Sequence, residues 1–201
     1  MIERHGLRTS FEFATVGRNA RMDFIDNEGF RANVGIILRD NAGRVLIAGR
    51  KGRSGWQFPQ GGMQHSESPE SAMYRELREE VGLLPDHVQL MGVTQNWLRY
   101  RLPDRFVRRE RSPVCIGQKQ RWFLLHLLAD PDNLRFDVTD DPEFDRCQWV
   151  DYWRPVKEVI YFKRSVYVRA LTELGQVAFP GDGPPPPPAW WPRRWQAAIN
   201  G

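Results

Sequence analysis

A chain of 201 residues with 41% apolar side chains suffices for one domain with a closed core plus tails, and no stretch reaches the ~20 consecutive apolar residues that span a membrane. The formal charge of +4 is equalled by residues 99–111 alone, where six arginines face Asp104 and Glu110, so the chain carries either a concentrated patch for polyanions or a salt-bridged, solvated loop. Charges scattered through the first twenty residues argue against a secretory signal, so a cytoplasmic protein with Cys115 and Cys147 as reduced thiols is expected.

In chain order, residues 1–21 are polar, Arg-rich and without a period, and are expected to form a flexible extension. Met22 offers a second start for translation. Residues 31–39 and 44–50 are strand-like runs around Asp40-Asn41-Ala42-Gly43, a hairpin signal. Gly55 to Phe58 reads as a short strand stopped by Pro59. A helix is expected over residues 69–81: Ser68 suits the N-cap, Pro69 the first helical position and Gly82 the stop. Residues 88–94 and 121–128 read as strands, the second apolar almost throughout, as in a central strand buried on both faces. Cys147 to Val150 adds a strand, and Val166, Ala170 and Leu174 mark a helix over 164–174. Beyond Phe179 the composition changes. Pro184 to Pro188 predict an extended polyproline rod of ~15 Å, followed by Trp190, Trp191 and Trp195 with Arg193 and Arg194. This tip could stack on nucleic acid, dock on a partner or fold back on the domain.

The helix over 69–81 carries the chemistry. At 100° per residue, Glu79 falls ~60° to one side of Glu76 and Glu80 ~40° to the other, so three carboxylates share a face. Met73, Tyr74, Leu77 and Val81 form a stripe that can enter a core. Like charges at these spacings cost a few tenths of a kcal/mol per pair, so such a face either stays in water or binds cations. Oxygen-only ligands select hard ions: Mg²⁺ first, with Mn²⁺ suited to the same donors. Arg75, one turn before Glu79, can hold a carboxylate by a forked hydrogen bond.

Gly61, five residues, Glu67, seven residues, then Arg75-Glu76-Leu77-Arg78-Glu79-Glu80-Val81-Gly82-Leu83 resembles the Nudix box without a departure. The resemblance implies an α/β fold, an α/β/α sandwich around a mixed sheet, and hydrolysis of a phosphoanhydride bond. Similarity to a bacterial branch of that family spans about residues 28–175, through Gly55 to Gly62, Asn96 to Tyr100, Val114 to Gln120, Pro142 to Asp145, Trp149 to Trp153 and Phe162-Lys163-Arg164. A catalytic domain over 22–178 and a Pro/Trp-rich tail over 179–201 are therefore expected.

The resemblance implies roles. Glu76, Glu79, Glu80 and Glu143 would ligate divalent metal, with the Gly61 carbonyl as an additional ligand. Glu76 or Glu80 would serve as general base, and Glu67, Arg75 and Gly82 would support the loop and helix. Arg31, Arg50, Gln118, Lys119, Phe162 and Lys163 would hold substrate, Phe162 by stacking on a base unless it packs in the core. Tyr100 matches a tyrosine that accompanies dinucleoside polyphosphate use, or merely packs. The branch implies conversion of a 5′-triphosphate or diphosphate RNA end to a monophosphate, promoting mRNA decay. Hydrolysis of dinucleoside polyphosphates is the alternative, and a catalytically silent RNA-binding or scaffold protein the alternative of another class. Partners are thus the RNA 5′ end or a dinucleoside polyphosphate, with no membrane; the tail's partner is left open.

Overall fold

The structure, a computed structural model, describes residues 24–52, 54–193 and 195. The expected extension over 1–21, the second start at Met22 and the tail's Arg194 lie outside them. Among the described residues no helix is long and apolar enough to cross a membrane. Cys115 and Cys147 are both free.

Among the described residues eight strands and three α-helices follow in the order β1 (Phe30–Arg39), β2 (Val45–Arg50), β3 (Trp56–Gln57), β4 (Gln60–Gly62), α1 (Pro69–Val81), β5 (Val88–Val93), β6 (Leu98–Arg101), β7 (Gly117–Leu127), β8 (Phe144–Val150), α2 (Arg154–Glu158) and α3 (Arg164–Ala178). The strands form one mixed sheet. β1 and β7 run parallel at its centre, from Phe30↔Gly117 to Arg39↔His126, while β2 pairs antiparallel with β8, and β5 and β6 pair antiparallel with β7.

Adjacent residues of β7 enter different cores. Trp122 and Leu124 pack with α3 through Val166, Tyr167 and Leu171. Phe123 and Leu125 pack with α1 through Met73, Leu77 and Val81. Because side chains alternate across a strand, a run apolar at every position must be covered on both faces. This is the α/β/α sandwich.

Two expected elements shift. The 40–43 turn forms as read, with Asp40 accepting from the Ala42 and Arg44 amides at 2.9 and 2.8 Å. The strands then part after the Arg39↔Val45 pair, because β1 is taken by β7 and β4 and β2 by β8. β7 begins at Gly117, four residues before the apolar run, since its N-terminal half pairs through polar Gln118, Lys119 and Gln120.

α1 has the predicted ends. The Ser68 hydroxyl accepts from the Ser71 amide at 3.1 Å, and Gly82 takes a left-handed φ of 74° while its N–H donates to the Arg78 carbonyl, a conformation costly for side-chain-bearing residues.

The Pro/Trp tail folds back. The Trp153 indole N–H donates to the Pro185 carbonyl at 2.6 Å. Trp191 is buried, with its ring 5.0 Å from that of Trp153. The tail thereby closes the α3 side of the sandwich.

Candidate active site

The expected ligands come from two places, brought together by the sheet. α1 lies beside β4, whose Gln60, Gly61 and Gly62 pair with Gly35, Val34 and Asn33 of β1. The Gln60 amide donates to Glu80 Oε2 at 2.8 Å, fixing the helix to the strand. Glu143 arrives at the start of β8. There the β2–β8 pairing shifts register at Gly49/Arg50, and the Lys51 amide donates to the Glu143 carbonyl at 2.9 Å.

Glu76 and Glu80 are buried. Burial, followed by the charges of Glu143 and Glu76, pushes the Glu80 carboxyl well above its ordinary proton affinity. Glu143, although far apart in sequence, lies close enough to Glu80 to disfavour its ionisation. Gly61 allows this crowding: a Cβ there would fall 1.9 Å from the Glu76 carboxyl carbon.

Arg75 donates from Nε and Nη2 to the two carboxylate oxygens of Glu67, both at 2.8 Å, and also reaches the Gly62 carbonyl. Its Nη1 lies 2.5 Å from Glu76 and 3.5 Å from Glu79. The fork thus closes on Glu67, which the Gln64 amide holds in the loop before α1. Among the described residues no three acidic, histidine or cysteine side chains are grouped as metal ligands; Glu76 and Glu79 lie against this arginine. The donor set nonetheless fits a hard cation: its atoms are all oxygens, and the carboxylates are crowded enough for Glu80 to resist ionisation.

In front of β4 lies a cleft of about 280 Å³ lined by Arg31, Arg50, Gln57, Gln118, Glu143 and Lys163, among others. Arg31 sits over Gly62, where a Cβ would come 2.1 Å from its guanidinium. Arg50 Nε is 3.4 Å from Glu143. Lys163 is buried, and its ammonium is pushed down to about 8 by burial, against the opposing pull of Glu143.

The Nudix domain model matches residues 29–170, most of the chain. The chain belongs to the Nudix family.

Among curated Nudix relatives, the RNA pyrophosphohydrolase of Alkalilimnicola ehrlichii is 55% identical over 170 residues, 85% of this chain and 94% of that one. The enzyme of the same name from Acinetobacter baylyi is 59% identical over 150 residues, 75% of this chain and 90% of its own. The E. coli dihydroneopterin triphosphate pyrophosphohydrolase superposes with a TM-score of 0.56 at 18% identity, covering 70% of this chain and 94% of that one, a likeness of fold alone.

One substrate assignment read from this Nudix chain changes. Lys119 does not line the cleft. It neighbours Gln118 on β7 and so points to the opposite face, where its ammonium is 2.8 Å from Asp26 and over the rings of Phe24 and Trp97. Phe162 is half-buried beside the cleft, in a ring cluster with Tyr100 and Phe106 at 5.8 and 5.3 Å. Tyr100 packs: it is buried, and its hydroxyl donates to Gln118 Oε1 at 2.6 Å.

Sequence reasoning missed Gln57. Its amide nitrogen donates to Glu143 at 3.0 Å and its oxygen accepts from Lys163 at 3.4 Å, joining the acidic and basic halves of the site. The signal was a polar residue between Trp56 and Phe58, inside an otherwise apolar run.

Proposed function

We propose that the protein removes pyrophosphate or phosphate from 5′-triphosphorylated or diphosphorylated RNA, leaving a 5′-monophosphate and opening transcripts to decay in the cytoplasm. The observation that carries this reading is the meeting of Glu76, Glu80 and Glu143 beside Arg31, Arg50 and Lys163. A hard cation held by these carboxylates would adjoin fixed positive charges along one groove, as a polyphosphate requires. The two relatives named RNA pyrophosphohydrolase support RNA as the substrate. The match over 29–170 supports a catalytic unit of 22–178, with residues 1–21 and 179–201 outside it.

Nudix hydrolases use divalent metal ions. Glu76, Glu79, Glu80 and Glu143, with the Gly61 carbonyl, would hold Mg²⁺, or Mn²⁺ with the same donors; when bound, the ion neutralises phosphate charge and acidifies water. The protein's own groups do the rest. Arg75 and Glu67 hold the loop against α1. Arg31 and Arg50 orient the phosphates, while Phe162 and Gln118 face the nucleoside. Glu76 or Glu80 accepts the proton of the attacking water as its oxygen bonds to phosphorus and the opposite P–O bond breaks. Charge growing on the leaving phosphate is met by Lys163.

The test is product analysis on end-labelled triphosphorylated RNA with Mg²⁺. Monophosphorylated RNA and released pyrophosphate or orthophosphate are expected. Recovery of RNA with its triphosphate intact would overturn the reading.

A further inference from the structure

We propose that a second cleft, between the 104–113 loop and β7, is a subsite for one RNA nucleotide downstream of the 5′ end. The inference rests on the RNA reading above. This cleft, about 200 Å³, is lined by Arg31, Phe106, Arg108, Arg111, Pro113 and Gln118, among others. Arg31 and Gln118 also line the cleft at the carboxylates, so a chain leaving one enters the other across a shared wall. Its volume is below the ~300–1,000 Å³ of pockets that enclose a whole drug-sized ligand. It suits one base.

Its chemistry is that of a nucleotide site. Phe106 is 41% exposed, yet rests on Phe162, which rests in turn on buried Tyr100, so an aromatic surface is held in place by a stack rooted in the core. Arg105 lies over the Phe106 ring at 5.0 Å, an exposed cation–π contact weaker than base stacking on such a ring. Tyr100 uses the Gln118 oxygen, which leaves the amide N–H groups for a ligand's acceptors.

The charges are sorted in the same way. Of the six arginines in 99–111, Arg99 pairs with Glu28 at 2.7 Å and Arg109 with Asp104 at 3.2 Å, while Arg101 and Arg105 sit over aromatic rings. Arg108 and Arg111, the two that line the cleft, have no acidic partner among the described residues. Their charge is available to a phosphodiester.

The test is fluorescence anisotropy with 3′-labelled ribonucleoside 5′-triphosphate (one nucleotide) and with 3′-labelled RNA 5′-triphosphate of five nucleotides, without added metal. The wild-type chain is expected to bind the longer RNA about tenfold more tightly, and Phe106→Ala and Arg111→Ala are each expected to lose most of that gain. For Arg111→Ala the salt dependence of log K should also flatten by about 0.7, one phosphate contact on a single strand. A gain that survives in both variants, or no gain in the wild type, overturns the subsite. Because hydrolysis is read separately from binding, neither result touches the reaction assigned above.

Discussion

The Arg75 guanidinium grips both oxygens of Glu67 at 2.8 Å while its remaining nitrogen faces Glu76 and Glu79. One side chain thus sets the loop before α1 and the orientation of two expected metal ligands. A lysine can replace the charge but not the fork. Arg75→Lys is expected to destabilise the protein by about 1.5–3 kcal/mol, the range for a hydrogen bond to a charged group, measured by urea unfolding. It should also lower affinity for Mg²⁺ by ~10–100-fold, as loss of a ligand's supporting partner does. Unchanged metal affinity would mean that the arginine does not position the ligands.

Glu80 offers a test through pH. In the metal-free protein its carboxyl titrates well above the ordinary 4.5, by burial first and then through Glu143 and Glu76. The folded state therefore keeps a proton that the unfolded chain releases, and stability declines as pH rises above that ordinary value. Glu80→Gln removes the charge and retains an acceptor for the Gln60 amide. In EDTA near pH 7 it is expected to melt higher than wild type, by ~2–4 °C per kcal/mol gained, with a flatter pH profile. Turnover with metal should fall at least ~100-fold, the scale for losing one electrostatic stabiliser. Calorimetry and product analysis read the two effects; a variant that melts lower in EDTA would contradict the crowding of carboxylates.

The tail is tested by Trp191→Ala. The ring is buried against Trp153, and removing a buried aromatic costs ~3–5 kcal/mol. Expected here is the low end, about 3 kcal/mol, because a chain end can settle into the space left. Thermal melting should drop by ~6–12 °C. A variant within a degree of wild type would mean that the tail adds nothing to the fold.

What the sequence determined by itself was local. The ends of α1 depend on Ser68, Pro69 and Gly82, each acting on its own neighbours, and the Nudix box lies within residues 61–83, so its spacing can be read without knowing the fold. The apolar run in β7 required cover on both faces, since alternation leaves such a strand no face for water. Tertiary structure decided whatever depends on partners distant in the chain. The step from Gln118 into the cleft to Lys119 away from it follows from pairing with β6 and β1; periodicity separates the two residues but does not say which face holds the site. Glu143 meets Glu80 because β8 pairs with β2 and drops that residue opposite α1, and nothing near residue 143 encodes its counterpart. The tail's choice of its own domain likewise rests on Trp153, distant in the chain, whose indole N–H meets Pro185 and whose ring meets Trp191.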